Sequence, residues 1–171
     1  MTEPQPFIFT VHGTPRPQPR PRFVKGRVVS TGNDKARLWR DAVERACREA
    51  VRNRAASPLL PSLPPAPLFL GAMKVMIWIN FAVPRTKLDL IGQPHTQRPD
   101  ADNLAKLAMD VMERCRVFGN DSSVSELIVQ KFWSRRGGLS VQIETASWSG
   151  YLEPGLRGFE KPLWLDSGLP E

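Results

Sequence analysis

The segment 75–83 constrains the fold more than any other part of the chain, because its hydrophobicity has a period of two residues. In a β-strand successive side chains point to opposite faces, so every second residue lies on the same side. One face of this strand is therefore strongly apolar and needs a second layer of structure to cover it. The residues on that face are Val75, Ile77, Ile79, Phe81 and Val83.

Two other segments have the spacing of amphipathic helices. Apolar residues form a continuous stripe through 34–54, and Asn33 or Asp34 is a suitable N-cap. A second helical stripe occupies 104–115 and ends before Gly119 and Asn120. These two patterns predict the two main helices of the protein.

Three further segments, 7–12, 126–134 and 139–145, are strand-like. The last two are joined by Arg-Arg-Gly-Gly at 135–138, which predicts an antiparallel hairpin. The expected fold class is therefore α+β, with a small mixed or antiparallel sheet packed against two main helices.

The composition is typical of a soluble globular protein, with 41% hydrophobic and 24% charged residues. We predict one domain over 1–147 with a proline-rich insertion at 57–67, followed by an extension at 148–171 without an assigned domain. No apolar run reaches the roughly 18 to 20 residues that span a bilayer, and the N-terminus lacks a signal-peptide profile, so a cytoplasmic location is expected. Cys47 and Cys115 are isolated in helical stretches, which favours buried thiols over a disulfide or zinc site.

A basic arm, residues 13–27, lies near the start of a chain whose net charge is +7. Prolines at 15, 17, 19 and 21 fix their own φ angles and hold the arm extended. The arm could be a solvated linker, a ligand for a proline-recognising domain or a phosphate-binding segment. The absence of any acid favours phosphate contact through its basic residues, which are Arg16, Arg20, Arg22, Lys25 and Arg27.

An acidic motif, Asp-Ala-Asp-Asn-Leu-Ala-Lys, occupies 100–106. On a helix, Lys106 and Asp110 lie about 40° and 80° from Asp102, so the three share one face. Asp100 stands just ahead of the helix, and Asp121 lies beyond its end, from where it could fold back. Carboxylate oxygens are the ligands that Mg²⁺ prefers, with substrate phosphate completing its shell. The motif therefore favours a metal site acting on a phosphodiester, with Lys106 as a fixed positive charge.

A purely structural interpretation also exists for each of these residues. Asp100 or Asp102 would cap the helix, which stabilises a helix by about 1 kcal/mol. Lys106 would pair with Asp102 or Asp110 four residues away, and Asp121 would be a turn residue. An isolated Asp-x-Asp favours this interpretation, whereas the full set beside a basic arm favours the metal site.

The chain resembles the RusA family of Holliday junction resolvases, which occur in bacteria, their phages and prophages. The resemblance covers residues 6–145 and rests on the acidic motif, Asp110, Asp121 and the upstream Gly13-Thr14-Pro15 leading to Arg20-Pro21-Arg22. Lys131-Phe132-Trp133 fits the basic-aromatic pair that ends a strand in the family pattern. Asn120 departs from that pattern, because relatives often carry an acid there, and segments 57–67 and 148–171 have no clear counterpart.

Membership would imply a homodimeric endonuclease that needs Mg²⁺, with Mn²⁺ as a substitute, and nicks two opposed strands of a four-way DNA junction during recombination and repair. By position, Asp100, Asp102 and Asp121 would bind the metal and catalyse cleavage together with Lys106. Asn103 and Asp110 would support them. The residues expected to bind DNA are Arg16, Arg20, Arg22, Lys25, Arg27 and Lys131.

The expected partners are branched DNA and a second copy of the chain, with no membrane and no small-molecule cofactor. The expected setting is the cytoplasm of a bacterial or phage-infected cell. Two alternatives stay open at the level of sequence. One is a metal-dependent nuclease for other branched DNA, and the other is a non-catalytic, basic DNA-binding module.

Overall fold

A computed structural model describes residues 5–19, 22–24, 26–29, 34–55 and 67–146. Within these ranges a four-stranded mixed sheet and two main helices confirm the predicted α+β class. Arg20, Lys25, most of the 57–67 insertion and the 148–171 extension lie outside the described residues, as does the Arg22 side chain. The elements in chain order are β1 (Phe7–His12), β2 (Arg22–Val24), β3 (Arg27–Val29), α1 (Asp34–Ala55), β4 (Met73–Ala82), α2 (Ala101–Arg114), β5 (Val124–Ser134) and β6 (Gly138–Thr145).

The strand order of the main sheet is β1-β6-β4-β5, and β2 and β3 pair separately in the basic arm. β4 is parallel to β5 and antiparallel to β6, while β1 is antiparallel to β6. The predicted hairpin between the last two strands is therefore wrong, because β4 lies between them. The strand with the strongest apolar alternation takes the position between two paired neighbours.

The Gly-Gly pair that predicted a hairpin has a different function in the fold. The turn between β5 and β6 passes over the end of β4, and the Gly13 N–H donates to the Gly137 carbonyl at 3.0 Å. A Cβ on Gly137 would collide with the carbonyl oxygen of Gly13, and one on Gly138 would lie 2.7 Å from that of Val11. The glycines are needed because this turn touches the end of β1.

β1, β4 and β5 all finish at one end of the sheet, which we name the motif end. α2 connects the parallel strands β4 and β5, so it runs back from the motif end to the opposite, far end. α1 runs the same way. Its Trp39 side chain lies against Gly13 at the motif end, and its Arg54 guanidinium lies 5.3 Å from the Phe69 ring at the far end.

The core lies between the sheet and the two helices. The predicted apolar faces of β4 and α2 are buried there, and Cys47 and Cys115 are free, buried thiols as expected. No helix in the described part of the chain is long and apolar enough to cross a membrane. The least exposed core side chains include Val43, Val75, Ile77, Ile79, Val111 and Met112.

Candidate functional site

The loop between β4 and α2 leads into the acidic motif. Backbone hydrogen bonds hold this loop against the end of β5. The Gly92 N–H donates to the Trp133 carbonyl at 2.8 Å, and the Trp133 N–H donates to Gln93 at 2.9 Å. The His95 N–H donates to the Lys131 carbonyl at 2.9 Å. These bonds make residues 92–95 a short extension of the sheet edge. The segment that leads into the motif is therefore held against the sheet.

Lys131, which the sequence placed among the DNA-binding residues, contacts this loop. Its ammonium donates to the carbonyl oxygens of Gln97 and Pro99, each at 2.7 Å. The side chain is half-buried. Lys131 thus holds the carbonyl groups of two of the three residues that precede Asp100.

His95, to which the sequence gave no role, is buried in the same loop. Its ring stacks on Phe81 with centroids 4.0 Å apart and lies 4.3 Å from the Trp133 ring. Burial, together with the nearby charge of Lys131, lowers the pKa of the imidazole. Its Nδ1 is buried without a hydrogen-bond partner among the described residues. A single histidine in a polar loop carries no local signal for such a packing role.

The start of α2 presents the two acids of the motif to solvent. Asp100 occupies the N-cap position with extended backbone, φ −70° and ψ 146°, but its side chain makes no capping hydrogen bond. Asp102 lies exposed in the first turn, Lys106 is exposed one turn later, and Asp110 is half-buried. The structural interpretation of Asp100 as a capping side chain is therefore not realised.

An open cleft of about 660 Å³ lies beside Asp100. It forms where the basic arm crosses the start of α2, and the Gln18 N–H donates to the Asn103 carbonyl at 3.4 Å. Arg16 and Arg98 line this cleft together with Asp100 and Asn103 of the motif. Its lining consists of Pro15, Arg16, Pro17, Arg98, Pro99, Asp100 and Asn103.

Asp121 lies at the other end of α2. It is exposed and begins a 3₁₀ turn, in which the Asn120 side chain accepts a hydrogen bond from the Ser122 N–H at 2.8 Å. α2 has 14 residues, and 14 residues at 1.5 Å each extend about 21 Å. Along β5, the path from Val124 to Lys131 is about 23 Å. Asp121 is therefore at the far end, about 20 Å from the start of α2.

Asp100, Asp102 and Lys106 lie within the first turns of α2, whereas Asp121 lies beyond the other end of the same helix. Over the described ranges, no group of three or more His, Cys, Asp or Glu side chains could hold a metal ion. The donor chemistry of Asp100 and Asp102 nevertheless suits a hard divalent cation, which proteins often hold by only one or two carboxylates.

Several basic residues missed by the sequence reasoning also lie at the motif end. They follow the ends of β4 and β5, and the Val83 N–H donates to the Ser134 carbonyl at 2.9 Å, which joins the two loops. The sequence signal that could have identified them is their position directly after strands that finish at the motif end. These exposed residues are Arg85, Lys87, Arg98, Arg135 and Arg136.

Two comparisons with known proteins bear on the family of this chain. A search of curated proteins found no match to the chain. The family profile described as Endodeoxyribonuclease RusA matches residues 12–144, which is most of the chain and includes the arm, the motif and Asp121. The protein therefore belongs to the RusA endodeoxyribonuclease family, whose members are junction-resolving endonucleases.

Proposed function

We propose that this protein resolves four-way DNA junctions during recombination and repair by Mg²⁺-dependent, paired nicks in opposed strands. One observation carries the proposal. Asp100 and Asp102 are both exposed at the start of α2, beside a cleft that also contains Arg16 and Arg98. Hard anionic ligands and phosphate-binding cations thus meet at one point in a chain that belongs to a nuclease family.

Asp100 and Asp102 would hold the divalent cation. When bound, Mg²⁺ would neutralise charge on the scissile phosphate and lower the pKa of an attacking water. Lys106 lies one turn from Asp102 and keeps its ammonium exposed. Its positive charge would stabilise the additional negative charge that develops on the phosphate. Mn²⁺, which also accepts oxygen ligands, would substitute.

Asp121 would join this site from a second copy of the chain. Within one chain, α2 separates Asp121 from Asp102 by about 20 Å, which is too far for a shared ion. In a two-fold dimer each copy supplies the same surfaces, so Asp121 of each copy would complete the site of the other. Two equivalent sites would then face two opposed strands of the junction.

The motif end would bind the DNA backbone. It combines Arg16 of the arm with Arg98, Arg135 and Arg136, all outside the core. Lysine and arginine side chains that replace counterions on DNA make affinity strongly dependent on salt. Because Asp121 of the second copy would complete the site, the far end of that copy would lie near this DNA-binding surface in the dimer.

A cleavage assay tests the proposal. A synthetic four-way junction is incubated with the protein in Mg²⁺, in EDTA, and with the Asp102→Asn variant in Mg²⁺. We expect symmetric paired nicks only with the unmodified protein in Mg²⁺, while Asp102→Asn retains or improves junction binding because a charge that repels phosphate is removed. Binding without cleavage by the unmodified protein would contradict the proposal. Preferential cleavage of flaps would instead favour a nuclease for other branched DNA.

A second experiment tests the DNA-binding surface. The double variant Arg135→Gln and Arg136→Gln should weaken binding to all junction sequences alike and lower the salt slope by about two. Arg45→Gln combined with Arg52→Gln is the matched control, because it removes the same two charges from exposed positions on α1 away from the motif end. Equal losses in the control and the double variant would argue against a localised surface.

A further inference from the structure

We propose that Lys131 is a positioning residue that fixes Asp100 and Asp102 for metal binding, and that it is not a contact to DNA phosphate. The inference rests on the proposed function, because it assigns a task within that site. It differs from the sequence interpretation, which grouped Lys131 with the arm as a DNA-binding residue.

The geometry of the ammonium carries the proposal. Two of its three protons are directed to the carbonyl oxygens of Gln97 and Pro99, each at 2.7 Å. Hydrogen bonds from a charged donor are about twice as strong as neutral ones. They hold two of the three carbonyls that immediately precede the motif, so the direction in which the chain enters α2 depends on Lys131.

A phosphate contact would compete with these bonds. A lysine is a compact donor with three protons, and only one would be left for a phosphate oxygen. Lys131 is also half-buried, whereas Arg98, Arg135 and Arg136 at the same end are exposed. The phosphate-binding task therefore falls to the exposed arginines.

The rest of the loop should stay in place without Lys131. Residues 92–95 are held by backbone hydrogen bonds to Trp133 and Lys131, and the His95 ring is packed between Phe81 and Trp133. Replacing the Lys131 side chain removes neither the backbone bonds nor the ring contacts. The expected change is therefore confined to residues 97–102.

The test uses the full-length variant Lys131→Met, which keeps the aliphatic stem and removes the charge. We measure the junction dissociation constant and, with enzyme in excess, the cleavage rate of bound junction in Mg²⁺. The junction affinity should stay within about twofold of the unmodified protein. The cleavage rate should fall by on the order of 100-fold, because a misplacement of about 1 Å of a group at a reacting centre has an effect of that size. Lys131→Arg, which retains donors for both carbonyls, should recover part of the rate.

Amide hydrogen exchange gives a readout independent of metal and activity. Exchange of the Leu104 N–H, which donates to the Asp100 carbonyl at 3.3 Å, should be at least about tenfold faster in Lys131→Met, because the start of α2 is no longer held. Exchange at residues 92–95 should be unchanged. Lys74→Met is the matched control. Lys74 is a half-buried lysine on the neighbouring strand β4, and it pairs with Glu126 at 3.5 Å without contacting the loop. The Lys74→Met variant should leave the cleavage rate and the amide exchange rates unchanged.

Each outcome decides the question. Weakened binding with an unchanged cleavage rate for bound junction identifies Lys131 as a phosphate contact and overturns the proposal. Unchanged exchange of the Leu104 N–H in folded Lys131→Met also overturns it. If Lys131→Met does not fold, Lys131→Gln, which keeps one amide donor group, is measured in the same way. If the unmodified protein cleaves no junction, the proposed function fails, while the exchange experiment still reports on the loop.

Discussion

A mixture of two inactive variants, Asp102→Asn and Asp121→Asn, is expected to regain DNA cleavage that neither variant has alone. The expectation follows from α2, whose 14 residues separate Asp121 from Asp102 by about 20 Å in one chain. If each site takes Asp102 from one copy and Asp121 from the other, a mixed dimer has one site with both replacements and one site with none.

The size of the recovery follows from the two-fold arrangement. Random exchange of subunits in an equal mixture makes about half of the dimers mixed, and each has one intact site of two, so about one quarter of the nicking activity returns. A mixed dimer nicks one strand only. The product is therefore nicked junction rather than two separated duplexes.

The assay uses junctions labelled on each strand in turn, with denaturing gels to count nicks and native gels to detect resolution. Subunits with tags of different size show that mixed dimers have formed. The matched control mixes Asp100→Asn with Asp102→Asn, which lie on the same side of the shared site and should give no recovery. Mixed dimers without cleavage, or equal recovery in the control, would refute the reasoning.

Three further predictions concern stability. The pKa of His95 is lowered by burial and by the charge of Lys131, so the unfolded chain takes up a proton first as the pH falls. The free energy of unfolding should therefore decrease below about pH 6.5 and stay level above it, and urea titrations of His95→Gln should show a flatter profile. Gly137→Ala should destabilise the fold by about 1–3 kcal/mol, because the new methyl group meets the Gly13 carbonyl; an unchanged thermal midpoint would contradict this contact. Leu104→Ala, at a buried position on α2, should lower the free energy of unfolding by about 2–5 kcal/mol in denaturant titrations.

Local patterns in the sequence were enough to predict most of the helices and strands, and the chemistry available to them. β4 was predicted from the period of two in 75–83, and α1 and α2 from the helical stripes through 34–54 and 104–115. These patterns are informative because the buried side chains of a strand or helix recur at the period of that element. The spacing of Asp100, Asp102 and Lys106 likewise fixed their common position at the start of a helix. Each of these properties depends only on residues within a few positions of one another.

Which helices and strands are neighbours depends on the three-dimensional path of the chain. The insertion of β4 between β5 and β6 could not be inferred from the Gly-Gly turn, because strand pairing depends on contacts between residues distant in sequence. The same topology places Asp121 at the far end of α2 and turns the Lys131 ammonium toward the loop before the motif. Local patterns identified the charged residues of this site, whereas the path of the chain decided which of them can act together.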